Sequence, residues 1–433
     1  MLLTNAQTDC LASRNIFYNK RTNKIADNIN EVLDPDHIEF HAEGLRNYLD
    51  YGYSVFGQTF VEDVHILPAN HRIWTDEEGK IQIEELKDPF EDKLDIPSKP
   101  QETLECIRAA VSEWEQKAEG TIIIPTSSGF DSRLLNCMIS AKDRIHAYTY
   151  GISDVQSQSQ EVVYAKKLCE ILQIDWHQIE LGKIHNYFEE WYKLYGFSTH
   201  AHGMYQMEFY DIIGKIENNC GNVLSGIYGD LWAGNWKFDN LKNSRDLENL
   251  AITHGLHADS AFCKLSEKHE IRDAFYEKHR EKLKDEKWRI IFAARMKMVL
   301  LSYLLQVPQY YGFSTWSPFI NVEVISQMIN LDRKEKERRK WQVDYFKSNG
   351  VLIGEMGLVC DANNTLNVTA CHTIIPEPLN VKLLGTLMEE HYVESINKKL
   401  PAINHIADSA YCGYLTLFPL QKILEIKEYG REK

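Results

Sequence analysis

Apolar positions along this chain change rhythm several times. Over residues 9–33 they alternate briefly on either side of a polar break at residues 19–23, the pattern of a short β-hairpin. A two-stranded hairpin is marginal by itself and must lean on something larger. Residues 43–51 place Leu45, Tyr48 and Leu49 on one helical face. Residues 64–67 are a short apolar run ending at Pro68-Ala69-Asn70, a turn in which Asn70 suits a left-handed backbone. The acidic, proline-containing stretch 85–100 predicts a boundary.

Beyond that boundary the period switches back and forth. Residues 102–116 have helical spacing, 121–124 are β-branched and strand-like, a helix begins near Asp131, and 145–150 read as strand. Residues 160–174 are helical, 176–181 strand-like, and 223–225 fit a short buried strand. Strands alternating with helices predict a parallel sheet covered on both faces. From about Leu241 to Lys433 the spacing is mainly helical. The expected architecture is α/β: a parallel sheet covered by helices, a helical C-terminal region, and a small N-terminal β-hairpin. The expected divisions are residues 1–35, 36–98 and 99–433.

Composition narrows the classes. The chain has 433 residues, 44% of them hydrophobic, and a formal charge of −15. An acidic protein without a basic stretch repels phosphate backbones, which argues against nucleic acid as a partner. The nine cysteines are scattered, with no Cys-x-x-Cys pair to suggest a zinc ribbon or a redox dithiol. Their odd number, and the absence of an apolar signal run in residues 1–20, predict a reducing, cytoplasmic setting. The most apolar helical stretch, 290–307, carries Arg295 and Lys297 and reads as a buried helix, so no membrane partner is expected.

The most informative segment is 121–135, where a buried strand runs into Ser127-Ser128-Gly129-Phe130-Asp131-Ser132 and then a helix. Small residues let the backbone approach a ligand, and the first N–H groups of the helix face any anion lying there. Asp131 would repel phosphate unless Mg²⁺ bridged them. The alternative is a helix start capped by serines, with Asp131 complementing the helix dipole.

This loop resembles the Ser-Gly-Gly-x-Asp-Ser pyrophosphate loop of the N-type ATP pyrophosphatases, most of all the asparagine synthetase-like family. Ser128 replaces one glycine. Further segments follow in the family's order: Leu67-Pro68-Ala69-Asn70, Tyr150-Gly151, Glu161-x-x-x-Ala165, Leu224-Ser225-Gly226-Ile227-Tyr228-Gly229-Asp230, and Pro318-Phe319-Ile320-Asn321. The likeness spans residues 9–346. It implies ATP held by Ser127, Ser128, Gly129, Phe130, Asp131, Ser132, Tyr150, Gly151, Ser225 and Gly226, with Mg²⁺ on Asp131 and Asp230. Asp230 also fits a simple turn aspartate. Lys340 falls where the family places a phosphate-facing lysine; it also ends the charged run 333–340, which fits a solvated helix face. Arg133 reads as surface or structural.

Departures from the pattern are as informative. Ile227 and Leu231 stand where the family has acidic residues, and Ser314 and Trp316 replace a Glu-x-Arg. A tyrosine near this segment is similar to that of the β-lactam synthetases, which makes Tyr228 a candidate catalytic group; a buried tyrosine with one hydrogen bond is the other reading. His200, His202 and Gly203 fall on the substrate side of the family's cleft, where structural or substrate-contacting histidines fit better than a metal pair. Position two is Leu2, where glutamine-hydrolysing members of the family carry their nucleophilic cysteine, so the resemblance implies only the last hairpin of a glutaminase domain, over residues 9–33, and no glutamine hydrolysis is expected. The resemblance therefore implies an ATP-dependent ligase that adenylates a small-molecule carboxylate and passes it to ammonia or an amine, with room for a separate glutaminase or partner subunit. A non-catalytic member of the family and an ammonia-dependent asparagine synthetase are the rival readings.

Overall fold

Short β-prone stretches at the N-terminus find partners rather than standing alone. In the computed structural model, which describes residues 2–251, 256–405 and 408–431, the hairpin pairs β2 (Phe17–Asn19) with β3 (Lys24–Ala26). A strand from beyond helix α1 (Ala42–Tyr51) completes it: β4 (Val64–Ile66) lies antiparallel to β2, with Phe17 opposite Ile66. A second three-stranded sheet, β1 (Asn5–Gln7), β5 (His71–Thr75) and β6 (Ile81–Glu85), has the order β1-β5-β6. The turn between the sheets has the expected geometry, with Asn70 at φ 56°. The sequence pattern revealed only the hairpin, because strands of three residues carry too little alternation to register.

The stretch expected as a boundary packs down. Phe90 is fully buried, and Ser98 N–H donates to the Asn330 carbonyl at 3.4 Å. From there the chain alternates through α2 (Pro100–Lys117), β7 (Ile122–Pro125), α3 (Phe130–Met138), β8 (Ile145–Tyr150), α4 (Gln160–Leu172), β9 (Asp175–Ile179), α5 (Tyr205–Ile216), β10 (Asn222–Leu224) and α6 (Gly229–Ala233). The helical region follows, with α7 (Glu270–His279), α8 (Glu286–Leu301), α9 (Lys340–Ser348) and α10 (Ser409–Arg431). One strand interrupts it. β11 (Ser314–Trp316) runs parallel to β10 at the sheet edge, a strand that the mainly helical spacing of that region did not reveal. The helical reading toward Lys433 reaches Arg431 within the described residues.

The five-stranded sheet is parallel throughout, in the order β11-β10-β7-β8-β9. The α/β expectation therefore holds. Three consecutive isoleucines make β7 its middle strand, fully buried at Ile122, Ile123 and Ile124, as a sheet covered on both faces requires. Alternate residues of β8 project toward α5: Tyr150 meets Phe209 with ring centroids 5.1 Å apart, and His146 Nδ1 lies 2.6 Å from the Glu217 carboxylate just beyond that helix. The winding direction reverses between β7 and β10, so their carboxyl ends open a crevice where the chain leaves in two directions.

One apolar core runs from Cys10 to Leu424, with a small satellite of Ile16, Tyr18, Ile25, Leu67 and Ile73 beneath the N-terminal sheets. Polar bonds tie the same distant parts. Tyr48 of α1 donates to the Thr416 carbonyl of α10 at 3.1 Å, Asn15 to Ser302 at 3.1 Å, and Arg46 to the Ser260 carbonyl at 3.0 Å. The stretch Glu286–Tyr310 is long and apolar enough to cross a bilayer, yet 72% of its most apolar window is buried within the protein.

Candidate functional site

β7 ends in a loop that is held by its own side chains. Thr126 N–H joins β8 at the Tyr148 carbonyl, 2.8 Å, which continues the strand pairing by one residue. Asn136 of α3, fully buried, donates to Thr126 Oγ1 and to the Ser132 carbonyl, each at 2.9 Å. Ser127 N–H donates to Ser132 Oγ and Gly129 N–H to Ser127 Oγ, both at 3.1 Å. Gly129 is the N-cap of α3, so the open N–H end of that helix faces the crevice. Arg133 underpins the turn: it is buried, and one of its Nη atoms donates to the Ser128 carbonyl at 2.9 Å.

The second wall comes from β10. Ser225 N–H donates to the Trp316 carbonyl of β11 at 2.8 Å, and the chain then turns through Gly226 and Tyr228, the latter left-handed at φ 65°. The two walls touch at Asp131. A methyl group at Gly229 would overlap the Asp131 carboxyl, so only glycine permits this approach. Asp230 follows immediately, its Oδ2 accepting from Trp236 Nε1 at 3.1 Å. Burial pushes the Asp131 carboxyl up to about 6; the Arg339 guanidinium, with which it forms an ion pair, pulls the other way, and the Asp230 charge adds to the rise. Lys297 of α8, itself buried with its ammonium 4.3 Å from the Trp236 ring centroid, is brought down to about 8 by burial, against the opposing charge of Asp230.

Between the walls lies a cavity of about 580 Å³. It is lined by Ser127, Ser128, Gly129, Phe130, Asp131 and Ser132 from the loop, by Tyr150, and by Ser225, Gly226 and Asp230, ten of the residues that sequence reasoning assigned to ATP or Mg²⁺. No family model matches the chain, and no curated protein does. Solved structures similar in part include two NAD synthetases. The NH3-dependent NAD synthetase of Campylobacter jejuni shares 16% identity over 47% of this chain and 96% of its own, at a TM-score of 0.26. The glutamine-dependent NAD+ synthetase of Acinetobacter baumannii, solved in complex with ADP, shares 16% over 69% of this chain and 52% of its own, at 0.23. The fold assignment stands on the strand order and register.

Three expected residues lie elsewhere. Lys340 is directed to solvent and pairs with Glu335 at 3.0 Å and Asp344 at 2.8 Å, as a solvated helix face would. Tyr228 is buried and its hydroxyl donates to the Ala294 carbonyl of α8 at 2.8 Å, a structural bond behind the cavity wall. Gly151 makes room for the backbone of Gln156, whose Cα would sit 2.6 Å from an added Cβ. His200 and His202 are buried away from the cavity lining, both held neutral by burial, and His202 N–H donates to His200 Nδ1 at 2.9 Å. Among the described residues no cluster of three metal-ligating side chains occurs.

Other residues take part that the sequence did not single out. Arg339, adjacent to Lys340, is buried against Asp131 because Arg338 and Arg339 are both left-handed, at φ 50° and 57°. Such backbone costs roughly 1–2 kcal/mol per residue and turns Arg339 away from the exposed face of its neighbours. Glu161, at the start of α4, accepts the Ser128 N–H at 2.6 Å. The motif Glu161-x-x-x-Ala165 marked its helix without giving the carboxylate a task. Trp316 stacks on Trp114 at 5.6 Å, which explains the aromatic residue in β11.

Proposed function

We propose that this protein is an ATP-dependent ligase that adenylates a small-molecule carboxylate and transfers the acyl group to ammonia or an amine. The observation that carries the reading is the crevice at the β7–β10 switch, where an N–H-lined serine–glycine loop meets two carboxylates from neighbouring strand ends. Its volume of about 580 Å³ suits a nucleotide. The adenine side falls by Tyr150 and Ile152, and the phosphates fall over residues 127–132.

Asp131 and Asp230 are a fitting donor pair for Mg²⁺, since a buried carboxylate that feels the charge of a second, half-buried one favours a hard cation that phosphate oxygens complete. Such an ion, when bound, neutralises phosphate charge. The protein's own residues supply the rest. The N–H groups of the first turn of α3 orient the triphosphate, and Arg339 offers positive charge where pyrophosphate leaves. The substrate carboxylate oxygen attacks the α-phosphorus and the bond to the β-phosphate oxygen breaks. The amine nitrogen then attacks the acyl carbon, the bond to AMP breaks, and the amine loses a proton. Adenylation is needed because a free carboxylate is a poor electrophile, whereas AMP leaves readily. With Ile227 in the wall where the resembling family is acidic, we place the substrate outside simple asparagine synthesis.

A second reading has its own support. Glu161 holds the Ser128 N–H and Arg339 holds Asp131, so the anion and cation positions are both satisfied internally, as in a non-catalytic binding protein. ATP–pyrophosphate exchange across a panel of carboxylic acids separates the two. The enzyme reading expects exchange that depends on one acid and vanishes in Asp131→Ala and Asp230→Ala. Absence of exchange with every acid, together with no Mg²⁺-ATP binding, would leave the binding protein.

A further inference from the structure

The chain that leaves α9 makes an arc whose two ends are tied to the residues gripping Ser128. At the near end, Arg133 Nη1 donates to the Val351 carbonyl at 3.3 Å, while Arg133 Nη2 donates to the Ser128 carbonyl at 2.9 Å. Val351 and Ile353 are fully buried. At the far end, Asp361 N–H donates to the Gln158 carbonyl at 2.8 Å, and Gln160 N–H donates to the Asp361 carbonyl at 2.7 Å. The residue after Gln160 is Glu161, which accepts the Ser128 N–H at 2.6 Å. Thr365 N–H then donates to the Ile152 carbonyl at 2.7 Å, and Asn364 lines the crevice. Both anchors of the arc therefore flank the phosphate loop.

Residues 354–360, between these anchors, are held by little. A Cβ added at Gly354 or Gly357 would meet nothing within 4 Å, and Gly357 is left-handed at φ 66°. No N–H of residues 357–360 makes a hydrogen bond among the described residues. Val359 is 96% exposed and Met356 39%. An apolar side chain wholly in water, on backbone that pairs with nothing, marks a segment of low local stability. Seven residues span at most about 25 Å, so an arc fixed at both ends reaches roughly 12 Å from its anchors. That is enough to lie across the phosphate loop beside them.

We propose that residues 354–360 form a lid that closes over the triphosphate of a bound nucleotide. Incoming phosphate oxygens take the Ser128 N–H from Glu161, and the shift passes through Gln160 to the Asp361 anchor. The arc then folds toward the loop, Val359 leaves water, and the N–H groups of residues 357–360 turn to the phosphate oxygens. In a ligase, such closure keeps water from the acyl-adenylate. The lid rests on the nucleotide reading of the crevice, and it holds whether the protein ligates or only binds.

Hydrogen–deuterium exchange of the full chain, with and without saturating Mg²⁺-ATP, tests the lid. Amides of residues 357–360 should exchange slower by roughly fivefold or more in the complex, together with those of residues 130–132 at the start of α3. Val359→Asp should leave the melting temperature unchanged, because the side chain lies in water. The same variant should weaken Mg²⁺-ATP binding about tenfold by calorimetry, the order expected when one apolar side chain can no longer be buried on closure. Slower exchange at residues 130–132 with residues 357–360 unchanged would overturn the lid and leave the nucleotide site standing. Wild-type affinity in Val359→Asp would overturn it as well. No binding of Mg²⁺-ATP at all would overturn the nucleotide reading, and the lid with it.

Discussion

Replacing Asp131 with asparagine tests the electrostatics of the crevice without needing a substrate. The Asp131 side chain is 17% exposed, so its carboxylate is largely desolvated, and burial raises its pKa from 3.8 to about 6 despite the ion pair with Arg339. The sign follows from proton binding. Between roughly pH 4 and 6 the folded protein holds a proton on Asp131 that the unfolded chain has released. Stability contributed by this group therefore falls as pH rises through that window. The shift is roughly two units, which corresponds to at most about 3 kcal/mol, reduced by the solvent that still reaches the carboxyl. Asparagine cannot titrate, and the unpaired Arg339 it leaves behind costs the same at every pH in the range. The quantity to measure is the stability of wild type minus that of Asp131→Asn, from urea unfolding at several pH values between 4.5 and 7.5. The difference should decline by about 1–3 kcal/mol toward high pH. A difference that stays flat or rises with pH would mean that Arg339 outweighs burial, and the argument for a cation at this carboxylate pair would lose its footing.

Two further outcomes follow from the same walls. Removing the internal competitor in Glu161→Ala frees the Ser128 N–H, and the affinity for Mg²⁺-pyrophosphate should rise about tenfold, given the strength of a hydrogen bond to a charged group; unchanged or weaker binding by calorimetry would refute the competition. Lys340→Ala should leave stability within about 0.5 kcal/mol and ATP–pyrophosphate exchange within about twofold, because its ammonium is solvated. Arg339→Met should reduce exchange by roughly a hundredfold. The reverse ranking of these two variants would place the working cation on Lys340.

The central fold and the loop could be read from the chain because their signals are dense and local. Ile122, Ile123 and Ile124 permit little but a buried strand, and the serines and glycine after them permit little but a tight turn into a helix. Asp230 was singled out through the resemblance of residues 224–230 to a family block, and it lines the crevice. Arg339 was not, since its inward direction depends on two consecutive left-handed residues, and arginine announces no such backbone. Charge periodicity assigned the run to solvent, which holds for Arg333, Lys334, Glu337, Arg338 and Lys340 and fails for Arg339. Tyr228 misled for a related reason: the sequence shows a hydroxyl beside the site, whereas its direction is set by the Ala294 carbonyl on a helix 66 residues away. Beyond the hairpin, the N-terminal strands and β11 escaped notice because they are short and owe their existence to partners distant in sequence.

The bond from Tyr48 to Thr416 spans 368 positions, and the apolar core beneath it is shared by both ends of the described chain. Evolution consequently cannot treat the first hundred residues as a detachable leftover. A lineage that shed them would bare the faces of α8 and α10 that they cover. A substitution in the crevice lining or a surface loop, by contrast, can change what is recognised without unbuttoning the whole molecule.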